Sequence, residues 1–285
     1  MMTVKSGLLY DHLIPEIYYM GGFLIMNVDL KGKRALITGA SSGLGEVIAR
    51  EFAADGAKIG LNYHSEAEAA GKIASGIRKN GGAVLTLQSD VSDAGSVETM
   101  INAFVKEWGG IDVLVNNAGI DGVRSLVWES DIAEWEKVVK INLFGPFYCS
   151  REALKYMVIQ KSGVILNITS VHENIPWSGY SSYTAAKAGL SMLTKTMAQE
   201  VGSLGIRIIS LAPGAIKTPI NQNVWDNPET LGNLLKKIPL GRMGECEEVA
   251  RVAAFLVSDH ASYVTGSTIF VDGAMIDYSN FTHGG

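Results

Sequence analysis

The sequence is poor in cysteine, in clustered positive charge and in long apolar runs, and each shortage excludes a class of protein. Its two cysteines, Cys149 and Cys246, lie far apart, and neither belongs to a CxxC pair or to a metal-binding spacing. We therefore predict no disulfide framework and no metal site, and a reducing cytoplasm as the location. The net charge of −5 and the lack of a basic run argue against nucleic acid as a partner.

The first 25 residues are apolar and aromatic, but Asp11, Pro15 and Glu16 interrupt them. No uninterrupted run reaches the length of a membrane span. A single lysine, Lys5, without a small-residue cleavage site is a poor match to a signal peptide. We predict that residues 1–28 are an extension without a membrane anchor, an over-long start being the simplest account, and that one domain occupies residues 29–285.

From residue 33 onward, short apolar runs alternate with amphipathic segments. The runs lie at 34–39, 57–62, 83–88, 111–116, 163–169, 206–212 and 267–272, and the helical patterns at 44–54, 66–79, 94–107, 131–157, 181–202 and 245–257. Apolar strands separated by helices are typical of a parallel sheet that is covered on both faces. The pattern predicts an α/β fold with a single-domain, Rossmann-type doubly wound sheet of about seven parallel strands. Residues 213–240 are irregular in pattern and are predicted to form a substrate loop or lid.

A glycine-rich turn follows the first predicted strand. Gly39, Gly43 and Gly45 lie in "TGASSGLG" (38–45), between a strand and a helix. Glycines let the backbone approach a pyrophosphate, and the N–H groups of a helix N-terminus attract its negative charge. A glycine trio alone often forms only a tight turn, but its place at the first strand–helix junction favours a dinucleotide cofactor.

Six elements that stand in order make the sequence resemble the short-chain dehydrogenase/reductase family. They are "TGASSGLG" (38–45), "NNAG" (116–119), Asn142, Ser170, "YTAAK" (183–187) and "PGAIKT" (213–218), and the resemblance extends from residue 29 to about residue 275. It implies hydride transfer between an alcohol or carbonyl compound and NAD or NADP. It also implies a homotetramer, with 131–157 and 181–202 at one subunit interface and the C-terminal segment at another. The cofactor-binding residues implied are Gly39, Ser41, Ser42, Gly43, Leu44, Gly45, Tyr63, His64, Ser65, Asp90, Val91, Asn117, Ala118, Gly119, Tyr183, Lys187, Pro213, Gly214, Ile216 and Thr218.

A tyrosine and a lysine four residues apart form the predicted centre of catalysis. Tyr183 and Lys187 share one helix face, and Ser170 lies at the carboxyl end of the preceding strand. A nearby ammonium favours a phenolate, so we expect Lys187 to lower the pKa of Tyr183. Tyr183 would take the proton of a substrate hydroxyl while Ser170 hydrogen-bonds the same oxygen. Tyr-x-x-x-Lys also occurs by chance on surface helices, and the family resemblance decides for catalysis.

Asn142 is the fourth predicted catalytic residue. Pro146 follows it by four residues inside the predicted helix 131–157. Since proline has no N–H, we expect a kink at which the Asn142 carbonyl loses its helical partner. The resemblance implies that this carbonyl holds a water that links Asn142 to Lys187.

Cofactor choice is predicted from the end of the second strand. An acidic residue about 20 positions after the glycine turn normally holds the ribose 2′-hydroxyl and selects NAD. Here "YHS" (Tyr63, His64, Ser65) supplies neither a carboxylate that repels a 2′-phosphate nor an arginine that binds one. We predict that NADP is accepted alongside NAD.

The second half of the chain resembles one group within the family, the bacterial glucose 1-dehydrogenases, in "SVHENIPW", "TPIN", "IPLGRMG", "ASYVTG" and "DYSNFTHGG". The resemblance implies a sugar or polyol substrate, with contacts from Ser170, His172, Tyr183, Asn221 and possibly from Asp121. The chain departs from the group at His64, where an arginine is usual.

Structural explanations for these residues also remain open. His172 and Glu173 could simply pair with each other in a surface loop, and Trp177 could simply pack the lid. The rival functions are reduction of another carbonyl compound, such as a 3-oxoacyl thioester, and non-catalytic nucleotide binding. The intact set of Asn142, Ser170, Tyr183 and Lys187 argues against the latter.

Overall fold

Seven parallel strands form the sheet around which the chain is built. The computed structural model describes residues 18–20, 23–25 and 28–277. The strands lie side by side in the order β3-β2-β1-β4-β5-β6-β7, and each neighbouring pair is parallel. Their bounds are β1 Arg34–Ile37, β2 Lys58–Tyr63, β3 Val84–Gln88, β4 Val113–Asn116, β5 Gly163–Ile168, β6 Ile206–Pro213 and β7 Thr268–Val271. The predicted doubly wound fold is confirmed.

Helices cover both faces of the sheet. One layer contains α1 (Gly43–Ala54), α2 (Ala67–Lys79) and α9 (Cys246–Val257), and the other α3 (Ala94–Trp108), α5 (Gly145–Gln160) and α6 (Ser181–Val201). Successive strand residues point to opposite faces. Ile37 therefore packs against the first layer and Leu36 against the second. This explains why the strands are apolar throughout.

The α3 helix shows how the sequence determines the buried face and the two ends of a helix. Its buried residues recur at helical spacing, at Val97, Met100, Ile101 and Phe104. The Asp93 side chain caps the N-terminus by accepting a hydrogen bond from the Ser96 N–H at 2.6 Å. The helix ends at Trp108, and the next residue, Gly109, has a left-handed φ of 77°.

Residues 213–240, predicted to be irregular, contain two short helices. They are α7 (Gln222–Trp225) and α8 (Pro228–Leu235). The Asn227 side chain accepts hydrogen bonds from the N–H groups of Glu229 and Thr230 at 3.0 and 3.1 Å. Asparagine before proline is a helix start signal that the sequence analysis passed over.

The predicted extension 1–28 lies mostly outside the described residues. Within it, Tyr18–Met20 pairs with Phe23–Ile25 in a separate antiparallel ribbon. None of the helices in the described ranges is long and apolar enough to cross a membrane.

Candidate active site

The carboxyl ends of β1 and β4 define the site. After β1 the chain builds outward through β2 and β3, then returns to place β4 on the other side of β1. Ligands of open parallel sheets bind in the crevice at such a reversal of strand order. The turns 38–45 and 117–119 both begin here.

The glycine turn is shaped by close backbone contacts. A Cβ atom on Gly45 would lie 2.4 Å from the Gly39 oxygen and from Asn117 Nδ2, and one on Gly39 would lie 2.8 Å from Ala118 Cα. Gly43 has a left-handed φ of 55°, and a Cβ there would make only ordinary contacts with Thr218 and Pro219, at 3.8 Å or more. The Ser42 side chain makes no capping hydrogen bond, which leaves the first-turn N–H groups of α1 free for an anion.

Two buried polar residues that the sequence analysis did not single out fix this turn. Thr38 Oγ1 accepts hydrogen bonds from the N–H groups of Asn117 and Ala118 at 3.0 and 3.1 Å. Asn62 Oδ1 accepts from the Gly39 N–H at 3.1 Å. A buried asparagine inside the apolar strand β2 was the available signal, because a buried polar group needs partners.

The next strands carry further residues that the family resemblance implies for cofactor binding, with Asp90 and Val91 beside the adenine. Tyr63 ends β2, His64 and Ser65 follow it, and Asp90 and Val91 follow β3. Partial burial would raise the pKa of Asp90, but hydrogen bonds from Ser92 and the nearby His64 outweigh it and lower the pKa below its usual value. This carboxylate is therefore a ready acceptor at neutral pH.

These features fit a dinucleotide: a glycine cradle that a Cβ would fill, free N–H groups for a pyrophosphate, and an acceptor near the adenine position. When bound, such a cofactor supplies a nicotinamide ring that exchanges hydride with the substrate and is positively charged when oxidised. Pro213, Gly214, Ile216 and Thr218 lie along the same cavity, at the end expected for the nicotinamide.

Ser170, Tyr183 and Lys187 meet at the bottom of the cavity. Lys187 is 4% exposed, and its Nζ donates a hydrogen bond to the Ile168 carbonyl at 2.8 Å. The same Nζ lies 5.6 Å from the centroid of the Tyr183 ring. Burial lowers the pKa of Lys187 to about 8, against the raising effect of Asp121 and Glu173.

The pKa of Tyr183 is raised, whereas we expected Lys187 to lower it. Burial is the largest cause, the Ser170 hydroxyl opposes it by hydrogen bonding, and Asp121 adds to it. The lysine donates to a backbone carbonyl rather than to the phenol. Tyr183 is thus held as a neutral phenol until other charges arrive.

Asn142 lies in a π-helical turn rather than at a simple kink. The predicted helix 131–157 is divided into α4 (Ile132–Val139), the π turn Lys140–Phe144 and α5, which has Pro146 in its first turn. Such turns are common at functional sites. Asn142 is fully buried; Nδ2 donates to the carbonyls of Ile120 and Val138 at 2.8 and 2.9 Å, and Oδ1 accepts from the Ile120 N–H. The Asn142 side chain thus holds the backbone at Ile120 against the π turn.

The cavity that contains Ser170, Tyr183 and Lys187 has a volume of about 480 Å³ and includes both the predicted cofactor end and the predicted substrate end. His172 stacks on one face of Trp177 at 4.5 Å, and Tyr180 stacks on the other at 3.9 Å. Both faces of Trp177 are therefore covered, and a ligand meets only its edge. The opposite wall is formed by side chains of α7 and α8 and by Met275.

His172 and Glu173 do not pair with each other. His172 Nδ1 lies 3.0 Å from the Ile175 carbonyl, and it must carry the hydrogen because a carbonyl only accepts. Glu173 Oε1 accepts from the hydroxyls of Ser191 and Thr268, both at 2.9 Å. The latter bonds tie the turn after Ser170 to α6 and β7.

Asn221 lines the cavity, but its side-chain amide already forms hydrogen bonds within the protein. Oδ1 accepts from the N–H and the hydroxyl of Thr218 at 3.0 and 3.2 Å, and Nδ2 donates to the Ile216 carbonyl at 2.8 Å. The predicted hydrogen bond from this amide to a substrate would require that these existing hydrogen bonds break. Asn221 instead shapes the turn that carries Ile216 and Thr218.

Fold and site together define an oxidoreductase that uses a nicotinamide cofactor, and comparison with known proteins agrees. Residues 39–275 match the family model described as "Enoyl-(Acyl carrier protein) reductase". The chain is 45% identical over 257 residues to 3beta-hydroxysteroid dehydrogenase 1 of Eggerthella lenta, which covers 90% of this chain and 98% of that protein. It is 39% identical over 254 residues to glucose 1-dehydrogenase 2 of Bacillus subtilis, which covers 89% and 98%.

A 3-oxoacyl-[acyl-carrier-protein] reductase of Synechocystis is 40% identical over 248 residues, which cover 87% of this chain and 98% of that protein. Among solved structures, a gluconate 5-dehydrogenase from Burkholderia cenocepacia in complex with NADP and tartrate superposes with a TM-score of 0.84. It is 34% identical and covers 88% of this chain and 98% of that one. The chain belongs to the short-chain dehydrogenase/reductase family.

Proposed function

We propose that the chain oxidises a ring hydroxyl of a sugar or polyol, such as the C1 hydroxyl of a glucose-like sugar, and that it uses either NAD or NADP. One observation carries the substrate class: two polar side chains, Asp121 and His172, line the cavity beside Tyr183. A pocket that hydrogen-bonds hydroxyls discriminates strongly against analogues that lack them. Asp121 offers an acceptor oxygen, and burial raises its pKa although Lys187 and His172 oppose this.

His172 offers a second acceptor. Burial lowers its pKa, so the neutral ring is favoured, although the Ile175 carbonyl and Asp121 oppose this effect and Lys237 adds to it. With the hydrogen on Nδ1, the lone pair on Nε2 is free to accept from a substrate hydroxyl. The stack on Trp177 holds the ring in place.

The chemical roles follow from the positions of the four predicted catalytic residues. Ser170 hydrogen-bonds the substrate oxygen. Tyr183 takes the proton of the hydroxyl group while the hydrogen on the same carbon atom leaves with the C–H electron pair, as hydride. Lys187 supplies positive charge beneath Tyr183, and Asn142 fixes the segment next to both. In the reverse direction Tyr183 returns the proton to the carbonyl oxygen.

A hydroxysteroid is the second candidate, because the outer wall of the cavity is apolar. Val224, Leu234 and Met275 line it, and a fused-ring alcohol would bury carbon against these side chains. The Eggerthella relative bears the name of a hydroxysteroid dehydrogenase. The same tyrosine chemistry would serve both substrates.

A substrate panel tests the proposal. Purified chain is assayed at 340 nm with NAD and with NADP against aldoses, polyols, 3-hydroxysteroids and, in the reductive direction, a 3-oxoacyl thioester. We expect the best aldose or polyol to exceed the steroid and the thioester at least about tenfold in kcat/KM. Turnover confined to the steroid or the thioester would replace the sugar assignment, and turnover of no substrate would favour a non-catalytic nucleotide-binding role.

A matched variant belongs to the same experiment. His172→Phe keeps an aromatic ring against Trp177 but removes the Nε2 acceptor. We expect a higher KM for the sugar and an unchanged affinity for the cofactor. If the KM did not change, His172 would not contact the substrate.

A further inference from the structure

Glu173 is a partly buried carboxylate that ends the short 3₁₀ turn Val171–Glu173. Its Oε1 accepts hydrogen bonds from the hydroxyls of Ser191 and Thr268, both at 2.9 Å. Ser191 follows Lys187 by four residues on α6, so the two side chains share one face of that helix. The carboxylate is therefore fixed one helix turn along α6 from Lys187.

The second carboxylate oxygen of Glu173 is buried without a hydrogen bond. No donor in the part of the chain that the structure describes reaches Oε2. A buried carboxylate is costly unless donors or an opposite charge compensate it. The two hydroxyls on Oε1 are neutral donors, so a nearby cation is the compensation that this group still needs.

Lys187 is the cation on which Glu173 acts. Burial lowers the pKa of Lys187 to about 8, and Asp121 and Glu173 both raise it against that effect. Asp121 also raises the pKa of Tyr183 and of His172, whereas Glu173 acts on neither of these two groups. Glu173 therefore favours the ammonium without opposing a phenolate at Tyr183.

The other ionisable groups around Lys187 are neutral or are engaged elsewhere. Burial raises the pKa of Tyr183 on the same helix, and burial lowers the pKa of His172 on the turn after β5, so both neutral forms are favoured. Asp272, after β7, accepts hydrogen bonds from two N–H groups of its own turn at 3.0 and 2.7 Å. Lys237 acts on His172 and not on Lys187.

We propose that Glu173 is a positioning residue for Lys187: its carboxylate keeps the lysine in the ammonium form, so that a positive charge is available to Tyr183 during proton transfer. Hydroxyl oxidation starts after one proton has left the Tyr183–Lys187 pair. In that state the pair is either a phenolate beside an ammonium, which accepts the substrate proton, or a phenol beside a neutral amine, which does not. Glu173 favours the first arrangement by attracting the ammonium. The proposal rests on the proposed tyrosine chemistry and is independent of the substrate.

The titration of Lys187 tests the proposal without any turnover. The full chain is labelled with ¹³C at lysine Cε, and the Lys187 signal, identified by its loss in Lys187→Arg, is followed by NMR from about pH 6 to about pH 10. We expect a midpoint of about pH 8 in the wild type. In Glu173→Gln the midpoint should fall by about 1 pH unit, because an ammonium that loses a nearby negative charge gives up its proton more easily.

A matched variant separates the charge of Glu173 from its hydrogen bonds. Glu173→Gln removes the charge but keeps an oxygen that can accept from Ser191 and Thr268. Thr268→Val removes one of these hydrogen bonds and keeps the charge, so its Lys187 midpoint should stay within about 0.3 pH unit of the wild type. An unchanged midpoint in Glu173→Gln would overturn the proposal, and so would an equal fall in Thr268→Val.

The wild type supplies a second measurement that does not depend on the folding of Glu173→Gln. ¹³C labelling of the glutamate side-chain carboxyl shows whether Glu173 is ionised at about pH 7, and the signal is identified by its loss in Glu173→Asp. An ionised Glu173 supports the proposal. A protonated Glu173 would overturn it, since only the carboxylate attracts an ammonium.

Turnover gives the functional consequence. With the best substrate of the panel, we expect kcat of Glu173→Gln to be about three- to tenfold lower at about pH 8, and the midpoint of its pH profile to move to lower pH by the amount seen by NMR. A merely structural role would instead weaken nucleotide or substrate binding and leave that midpoint in place. Absence of turnover with every substrate would overturn the proposed function, while the Lys187 titration would still decide whether Glu173 holds the ammonium.

Discussion

At the residue scale, the protein surroundings of Tyr183 favour its neutral phenol form. Burial raises its pKa, and the hydrogen bond with Ser170 only partly offsets this. Lys187, whose pKa burial lowers to about 8, faces the Ile168 carbonyl. In the proposed mechanism this neutral phenol is the acid for carbonyl reduction, and oxidation requires it to lose its proton first.

The pH dependence of the two directions follows from this. A raised pKa keeps the acid form dominant at neutral pH, so kcat/KM for oxidation should rise with pH as the phenolate becomes accessible. In the reductive direction kcat/KM should fall with rising pH, since the acid form is consumed. Initial rates in both directions between about pH 6 and pH 9 check this. Oxidation that slows steadily as pH rises over this range would contradict the assigned role of Tyr183.

Asp55, which lies away from the site, lowers the stability of the folded chain when its carboxyl group is ionised. Burial raises its pKa to about 6, and the nearby carboxylates of Glu51 and Asp29 add to the effect. Its pKa in the folded chain is above the ordinary value of 3.8, so folding takes up a proton between these two pH values. Stability is therefore lost as pH rises through this window, and the full penalty applies above it.

Asp55→Asn should remove that penalty. We expect Tm to rise by about 2–4 °C at pH 7.5, which corresponds to roughly 1 kcal/mol after allowance for solvent screening. At pH 4, where Asp55 is largely protonated in the folded chain, the change should be small. Asp226→Asn, at an exposed carboxylate, is the matched control, and an equal gain from it would show a general charge effect instead.

The residue types of the site could be predicted from the sequence, but their contacts could not. Tyr183, Lys187 and Ser170 come together as expected because a strand end and a helix start fix them. Asn221 was expected to face the substrate, yet its amide bonds to its own turn. Which way a short polar side chain turns is decided by competing backbone donors and acceptors nearby, and these do not appear in the sequence pattern.

At the scale of elements, the turn before α1 depends on one glycine more than on the others. A Cβ on Gly45 would collide with backbone at 2.4 Å, while a Cβ on Gly43 would meet no atom closer than 3.8 Å. The helix N-terminus can present its N–H groups only if Gly45 packs against the Gly39 carbonyl. Glycine is therefore required at position 45 for close packing, in addition to the backbone conformations that glycine allows elsewhere in the turn.

Gly45→Ala should weaken the binding of NADPH and NADH at least about tenfold, because the displaced turn no longer fits a pyrophosphate. Gly71→Ala on α2, where a Cβ meets nothing within 4 Å, is the control, and it should bind normally. Fluorescence titration gives the affinities and circular dichroism verifies folding. Normal binding by folded Gly45→Ala would mean that the turn does not hold the nucleotide.

Element boundaries were predictable where hydrophobic periodicity was strong, and the two departures have physical causes. A π turn keeps nearly the same apolar spacing as an α-helix, so the division of 131–157 at Lys140–Phe144 was hidden. The segment 213–240 has short helices whose apolar faces line the cavity rather than the core. Their pattern therefore differs from that of the sheet-packing helices.

At the scale of the whole molecule, one face exposes large apolar side chains. Phe144 and Phe147 are each 43% exposed and Met192 is 61% exposed. Val138, which lies in the same predicted interface segment 131–157, is instead 1% exposed. Phe144 and Phe147 both contact the Tyr148 ring, and large apolar side chains exposed together on a monomer favour contact with another protein surface.

The predicted homotetramer would cover this face. Multi-angle light scattering at micromolar concentration should give four times the chain mass of 30.5 kDa. The double variant Phe144→Glu and Phe147→Glu should dissociate it, while Lys79→Glu, at an exposed residue of α2 in the other helix layer, should not. A stable monomer in the wild type would refute the assembly.

The central claim is that this molecule moves a proton through Tyr183 while hydride passes to or from the cofactor. Its most direct test is the turnover of Tyr183→Phe on the best substrate of the panel, with nucleotide affinity measured on the same preparation. We expect kcat to fall by about 10²–10⁴-fold and the Kd of the nucleotide to stay within about twofold, since the ring packs similarly without its hydroxyl. A variant that keeps most of the wild-type kcat would contradict the account.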